Sequence, residues 1–306
     1  MAPRKNPEWT NSALTRHWSQ IENVVGRKHM PVITERSTRM LIAEEFGSGA
    51  FGTVIPTKTN GIVLKVTSDE TEARFAAIAM SLNNWPKGMV RYYAALRLRG
   101  RHETRPIYAL WREEAFDVGH VQGWFLRRPD DYTRAGYRLF HQRLDILQLL
   151  GWMVVKEVDP YAGMERRGRA KPSVDRARVR TIAAKYRDTL TVSLRDSDEV
   201  EDRVNNIDDL TERTAYALAL FEECALRISL EDFAPEIGEA IHSYVQRGVL
   251  LSDVHMGNIG RVRRRSGRST AVITDPGVTV RLLASLDTIV PVSVERAKSS
   301  DWHRAA

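Results

Sequence analysis

The sequence predicts an α+β protein in two parts: a strand-rich segment with one helix up to about residue 114, then a mainly helical remainder. Three observations predict it. Short apolar runs rich in Val, Ile, Tyr and Phe, bounded by Gly, Asn and Thr turns, fill residues 39–114. After Glu114 the apolar residues recur at three and four positions instead, the period of a helix face. The chain has 306 residues, of which 42% are hydrophobic and 28% charged, enough apolar material for a sizeable core.

Residues 1–38 read as an N-terminal helical extension. "SALTRHWSQIENVV" sets Leu14, Trp18, Ile21 and Val25 on one stripe. In residues 39–114, "MLIAEEFGSG" and "FGTVIPTK" are strands flanking a glycine turn, and "NGIVLKVT" is a third strand after the turn signal Asn60-Gly61. "SDETEARFAAIAMSL" is a helix with Ser68 or Asp69 as its N-cap and acids in its first turn. "MVRYYAALRL" and "RPIYALWREE" are two more strands, joined by the charged turn "RGRHET".

In residues 115–306, helices are expected over "RAGYRLFHQRLDILQLLGWMVV", "LTERTAYALALFEECALRISL" and "APEIGEAIHSYVQRG", the last closed by Gly248 as its C′ residue. Residues 156–207 read as a charged insertion, partly helical and largely surface. "NIGRVRRRSGRSTAVITDPG" reads as two short strands around a basic turn.

A single cysteine, Cys224, excludes an internal disulfide framework, and its helical spacing with leucines marks a core thiol. No apolar run approaches the roughly 20 residues that span a bilayer, and the N-terminal stretch has no secretory h-region. A cytoplasmic protein with no membrane partner is expected. The net charge of +7 suits anionic partners: nucleotides, acidic protein surfaces or nucleic acid. The basic runs "RVRRRSGR" and "ERRGRAKPSVDRARVR" carry no interleaved aromatics for base stacking, so nucleic acid is the less favoured partner.

Chemistry gathers in four places. Gly47-Ser48-Gly49-Ala50-Phe51-Gly52 is followed by a strand containing Val54, not by a helix, so a glycine-rich hairpin over phosphates is favoured over a dinucleotide turn. Lys65 lies inside the apolar strand "IVLKV". A lysine there either faces solvent on an edge strand or has its ammonium paired. Glu72 is the first candidate partner and Glu70 the second, although both also suit the helix dipole.

In "LLSDVHMGNIG", Asp253 and Asn258 stand five apart on a loop. The carboxylate can accept a hydroxyl proton, and the amide oxygen is a hard ligand suited to Mg2+. "AVITDPGV" adds Asp275 before Pro276-Gly277. Each segment alone reads equally well as an ordinary turn; their order, each at a strand end, argues for one site.

With these residues in place the sequence resembles the protein-kinase-like superfamily, including its aminoglycoside and choline kinase branch. "GSGAFGTV" resembles the glycine-rich loop, "VLKV" the third-strand lysine, "DVHMGN" the catalytic loop and "DPG" the metal-binding D-F-G, over residues 40–115 and 235–280. The resemblance implies a bilobal fold, with a small antiparallel-sheet N-lobe carrying one helix and a mainly helical C-lobe. It implies ATP and Mg2+ and transfer of the γ-phosphoryl group to a hydroxyl of a protein or small molecule. By it Asp253 is the catalytic base and Asn258 and Asp275 hold the metal. Lys65 grips the α- and β-phosphates and Glu72 orients it. The loop from Gly47 to Gly52, with Val54, covers the nucleotide, and backbone groups from Trp111 to Glu113 meet adenine. His255 is expected as a packing and hydrogen-bonding residue.

The departures from the pattern also carry expectations. Leu251-Ser252 precedes Asp253 where the family often has His-Arg or His-Gly, and no Ala-Pro-Glu follows. Regulation by activation-loop phosphorylation is therefore not expected. Pro276 replaces the phenylalanine of a movable D-F-G, and the long helical region must supply the C-lobe core. AMP transfer, or a pseudokinase that binds nucleotide to regulate a partner, are the alternative uses of the same residues.

Overall fold

The computed structural model describes residues 18–32, 52–81, 86–102, 105–127, 130–158, 173–191, 193–230, 233–264, 267–277, 279–282 and 294–296. Over these the chain is mixed α+β, with a small antiparallel sheet, two two-stranded sheets and several helices. It divides into two compact units, residues 1–85, 90–115 and 290–306 in the first, 86–89 and 116–289 in the second. The strand expected at residues 40–49, the glycine loop at 47–51 and the start of the leading helix lie outside the described residues.

In the first unit, strands β1 (Gly52–Pro56), β2 (Ile62–Thr67), β3 (Tyr92–His102), β4 (Arg105–Glu113) and β9 (Val294–Arg296) form one antiparallel sheet in the order β1-β2-β4-β3-β9. The turn between β1 and β2 uses Gly61 at φ +78°, a conformation glycine adopts without strain. Thr57 closes it by donating its hydroxyl to the Ile62 carbonyl at 2.8 Å.

All six residues of β2 are buried, so both faces of this interior strand are covered. Ile62, Leu64 and Val66 share a core with Ile21 and Val25 of helix α1 (Trp18–Val25). The alternate residues face helix α2 (Glu70–Ser81), whose N-cap is Asp69: its carboxylate accepts the Thr71 N–H at 2.8 Å. The three-residue β9 joins the outer edge of β3 in this unit, whereas the sequence reading had placed residues 115–306 together in the helical part.

The second unit contains α3 (Gln122–Phe125), α4 (Asp131–Val158), α5 (Arg176–Tyr186), α6 (Ser197–Asn205), α7 (Leu210–Leu230) and α8 (Pro235–Gln246). Helix α7 packs against α4, α5 and α8. Its run of Ala217, Leu218, Ala219, Leu220 and Phe221 is buried without a break, as a central helix requires. Cys224 is a buried thiol that donates to the Arg143 carbonyl at 3.5 Å. Gly248 ends α8 at φ +80°.

Within the stretch read as a charged, partly helical insertion, α5 and α6 are regular helices capped by Asp175 and Asp196. They bury Val179 with Ala183 and Val200 with Val204, each pair one turn apart.

Four short strands complete this unit. β5 (Val249–Leu251) pairs with β8 (Thr279–Arg281), and β6 (Ile259–Arg263) pairs with β7 (Ser269–Ile273), both antiparallel. Among the described residues, no helix is long and apolar enough to cross a membrane.

Candidate functional site

Lys65 occupies the middle of β2, opposite Val54 on β1 and Leu110 on β4. Flanked on both sides it is not an edge residue, and at 7% exposure it is largely withdrawn from solvent. Its ammonium meets Glu72 Oε2 at 2.7 Å. Glu72 lies in the first turn of α2 and is 1% exposed. Its other oxygen accepts from the Tyr92 hydroxyl at 3.3 Å and has Arg112 Nη1 at 4.0 Å. Glu70 faces elsewhere and pairs with Arg74, one helical turn on.

Removing the Lys65 and Glu72 charges from water is costly, and each is tolerable because the other compensates it at hydrogen-bonding distance. Arg112 reaches the same carboxylate because it stands opposite Val63, which shares the α2-facing side of β2 with Lys65.

In the second unit, topology brings the sequence motifs together. β5 runs into Ser252 and Asp253, and the chain then makes the β6–β7 hairpin and returns through Asp275–Gly277 to β8, the partner of β5. The two linking loops therefore leave the same place. Asn258, just before β6, and Thr274, just after β7, close the hairpin: the Thr274 N–H and hydroxyl both donate to the Asn258 carbonyl, at 2.8 and 3.0 Å. Gly277 lies against Asp253, and its N–H caps the Asp275 carboxylate at 3.0 Å.

Around Asp253 the donors are specific. The Asn258 amide nitrogen donates to the Asp253 carbonyl at 2.9 Å and approaches Oδ2 at 3.4 Å. Gln148 Nε2, from α4, donates to Oδ1 at 2.9 Å. His255 accepts the Gly257 N–H on Nδ1 at 3.0 Å, so the neutral ring carries its proton on Nε2, which stands 3.6 Å from Asp253 Oδ1. His255 thus caps the 3-10 turn Met256–Asn258 while pointing its remaining donor toward the carboxylate.

Asp253, Asn258 and Asp275 are half-buried, among the fully buried Ser252, Val254, Ile259 and Thr274. Polar oxygens held this way remain accessible while their backbones are fixed. No group of three or more His, Cys, Asp or Glu side chains suited to a metal occurs among the described residues. Asn258 and Asp275 offer one amide oxygen and one carboxylate.

The other expected site residues divide as follows. Gly47, Ser48, Gly49, Ala50 and Phe51 lie outside the described residues, and Gly52 opens β1 opposite Thr67. Val54, as the cross-strand neighbour of Lys65, shares its face. Trp111 stands opposite Leu64, so its side chain enters the core on the other face, where the indole N–H donates to the His29 carbonyl at 3.0 Å. The Glu113 N–H is engaged by the Arg91 carbonyl at 2.8 Å. Neither joins the Lys65 cluster.

Tyr92, Arg112 and Gln148 went unnoticed in the sequence. The first two were readable only once the β3–β4 and β2–β4 registers were known. Gln148 is 105 positions from the carboxylate it touches. Comparison with protein-family models, curated proteins and solved structures finds no match to this chain.

Proposed function

We propose that this chain is an ATP- and Mg2+-dependent phosphotransferase with a bilobal, protein-kinase-like fold, which moves the γ-phosphoryl group to a hydroxyl of a protein or small molecule. The reading rests on one observation above all: Asp253, Asn258 and Asp275 converge on two adjacent loops, locked by Gly277 against Asp253 and by Thr274 on Asn258. A carboxylate base beside two further oxygen ligands is what phosphoryl transfer to a hydroxyl asks of a protein.

The donor set fits a hard divalent cation. The Asn258 nitrogen is committed to the Asp253 carbonyl, so the amide oxygen is the atom that would meet a cation, and Asp275 adds a carboxylate on the neighbouring loop. Bound there, Mg2+ would supply positive charge against the phosphates. Asp253 takes the proton of the acceptor hydroxyl as its oxygen bonds to the γ-phosphorus. The bond from that phosphorus to the β,γ-bridging oxygen breaks, and ADP leaves with the electron pair. Lys65, held by Glu72, offers a fixed cation to the α- and β-phosphates.

Calorimetry of Mg-ATP binding to wild type, Lys65→Ala and Asp275→Ala tests the reading. Binding that needs Mg2+ and weakens at least about tenfold in both variants is expected. Folded wild type that binds neither ATP, GTP nor ADP overturns it. Binding without phosphate transfer in any acceptor screen would make the chain a nucleotide-responsive regulatory module.

A further inference from the structure

We propose that Gln148 is a positioning residue for Asp253, holding Oδ1 so that Oδ2 is the oxygen that takes the proton. The proposal rests on the phosphotransferase reading and adds to it a residue from a different element.

The two carboxylate oxygens of Asp253 are not equivalent. Oδ1 accepts from Gln148 Nε2 at 2.9 Å, and the proton-bearing Nε2 of His255 stands 3.6 Å from the same oxygen. Among the described residues Oδ2 meets the Asn258 amide at 3.4 Å, the long limit of a hydrogen bond, and that amide already serves the Asp253 carbonyl at 2.9 Å. A carboxylate gripped at one oxygen presents the other in a fixed direction, the condition for proton transfer in a short-lived transition state.

The position of Gln148 is itself built. One helical turn further along α4, Gly151 leaves its face bare, and the Ser252 backbone occupies that space: a methyl group on Gly151 would lie 2.9 Å from Ser252 Cα. Residues three apart share a helix face, so this close approach brings Gln148 within reach of Asp253. Helix α4 packs against α7, so the donor sits on a rigid element instead of on the loop it serves. Glutamine is also the apt donor. Its amide N–H orients the carboxylate through a single hydrogen bond.

The test measures two quantities on the full chain: Mg-ATP affinity by calorimetry, and release of γ-phosphate from Mg-ATP into water. Gln148→Leu keeps the volume and removes the donor; Gln148→Glu keeps the shape and sets a second acceptor-only carboxylate against Asp253; Gln148→Lys restores a donor. Leu and Glu are expected to lower turnover at least about tenfold, with Mg-ATP affinity and KM within about twofold of wild type. Lys is expected to stay within about threefold of wild type.

Turnover of Gln148→Leu within twofold of wild type overturns the role of Gln148 and leaves the proposed activity standing. So does an equal fall in turnover and affinity, the mark of a merely structural tie. Should the Leu variant not fold, the contrast between Glu and Lys decides alone. Wild type that binds Mg-ATP yet releases no phosphate to water or to any acceptor screened overturns both the activity and this role.

Discussion

Gly277 lies so close to Asp253 that a methyl group added to it would come within 2.0 Å of the Asp253 Cβ and 3.1 Å of its Cα. Its φ of +62° excludes most other residues independently. The Asp275–Gly277 loop therefore packs directly on Asp253. Gly277→Ala should cost at least about 1 kcal/mol from the left-handed backbone alone, and more because the two loops must part. Urea unfolding reads the loss, and phosphate release from Mg-ATP should fall with it. Wild-type stability in Gly277→Ala would mean that the loops separate at no cost.

The Lys65–Glu72 pair makes a different prediction, because both charges are buried and each compensates the other. Lys65→Met leaves Glu72 with Arg112 at 4.0 Å and the Tyr92 hydroxyl, a weaker neutralisation. A loss of about 3 kcal/mol is expected. Adding Glu72→Gln, which can still accept from Tyr92, should return part of it, so the double variant is the more stable of the two. A double variant that merely sums the two single losses would show that the charges act independently.

Gly151→Ala tests a sign. In the middle of an exposed helix this substitution stabilises by up to about 1 kcal/mol. Here the added methyl would lie 2.9 Å from Ser252 Cα and 3.1 Å from the Ser252 carbonyl oxygen, both backbone atoms that yield little. A net loss of stability is expected, together with reduced turnover, since the Asp253 loop is what moves. A more stable Gly151→Ala would show that the loop has room to shift.

What the sequence disclosed depended on how local the physics was. Helix α7 at Leu210–Leu230 and the end of α8 at Gly248 were legible because apolar spacing and a positive-φ glycine act within a few residues. Helices α5 and α6 were blurred by charge. Their cap aspartates, Asp175 and Asp196, were in plain view, but each buries only a valine–alanine or valine–valine pair. The three residues of β9 have no strand signal of their own and exist as a strand only through β3. The candidate site divides in the same way. The carboxylates and Lys65 stand in readable motifs, whereas Tyr92, Arg112 and Gln148 enter through register or helix packing, which local pattern does not carry.

Alkaline pH should act on the first unit through Tyr108. Burial of the phenol, and after it the negative charge of Glu70, push its pKa from 10.0 up to about 12, with Arg97 and Arg74 pulling the other way. Between those values the unfolded chain releases the proton while the folded chain keeps it. The folded state then binds more protons, so stability falls as pH rises through this window and is unaffected by Tyr108 below it. Tyr108→Phe removes the group and should flatten that part of the profile. Urea unfolding of wild type and Tyr108→Phe at about pH 9 and about pH 11 makes the comparison, with the difference between the two proteins widening in favour of the variant at the higher pH. A constant difference would place the Tyr108 phenol at its ordinary value, ionising equally in the folded and unfolded chain.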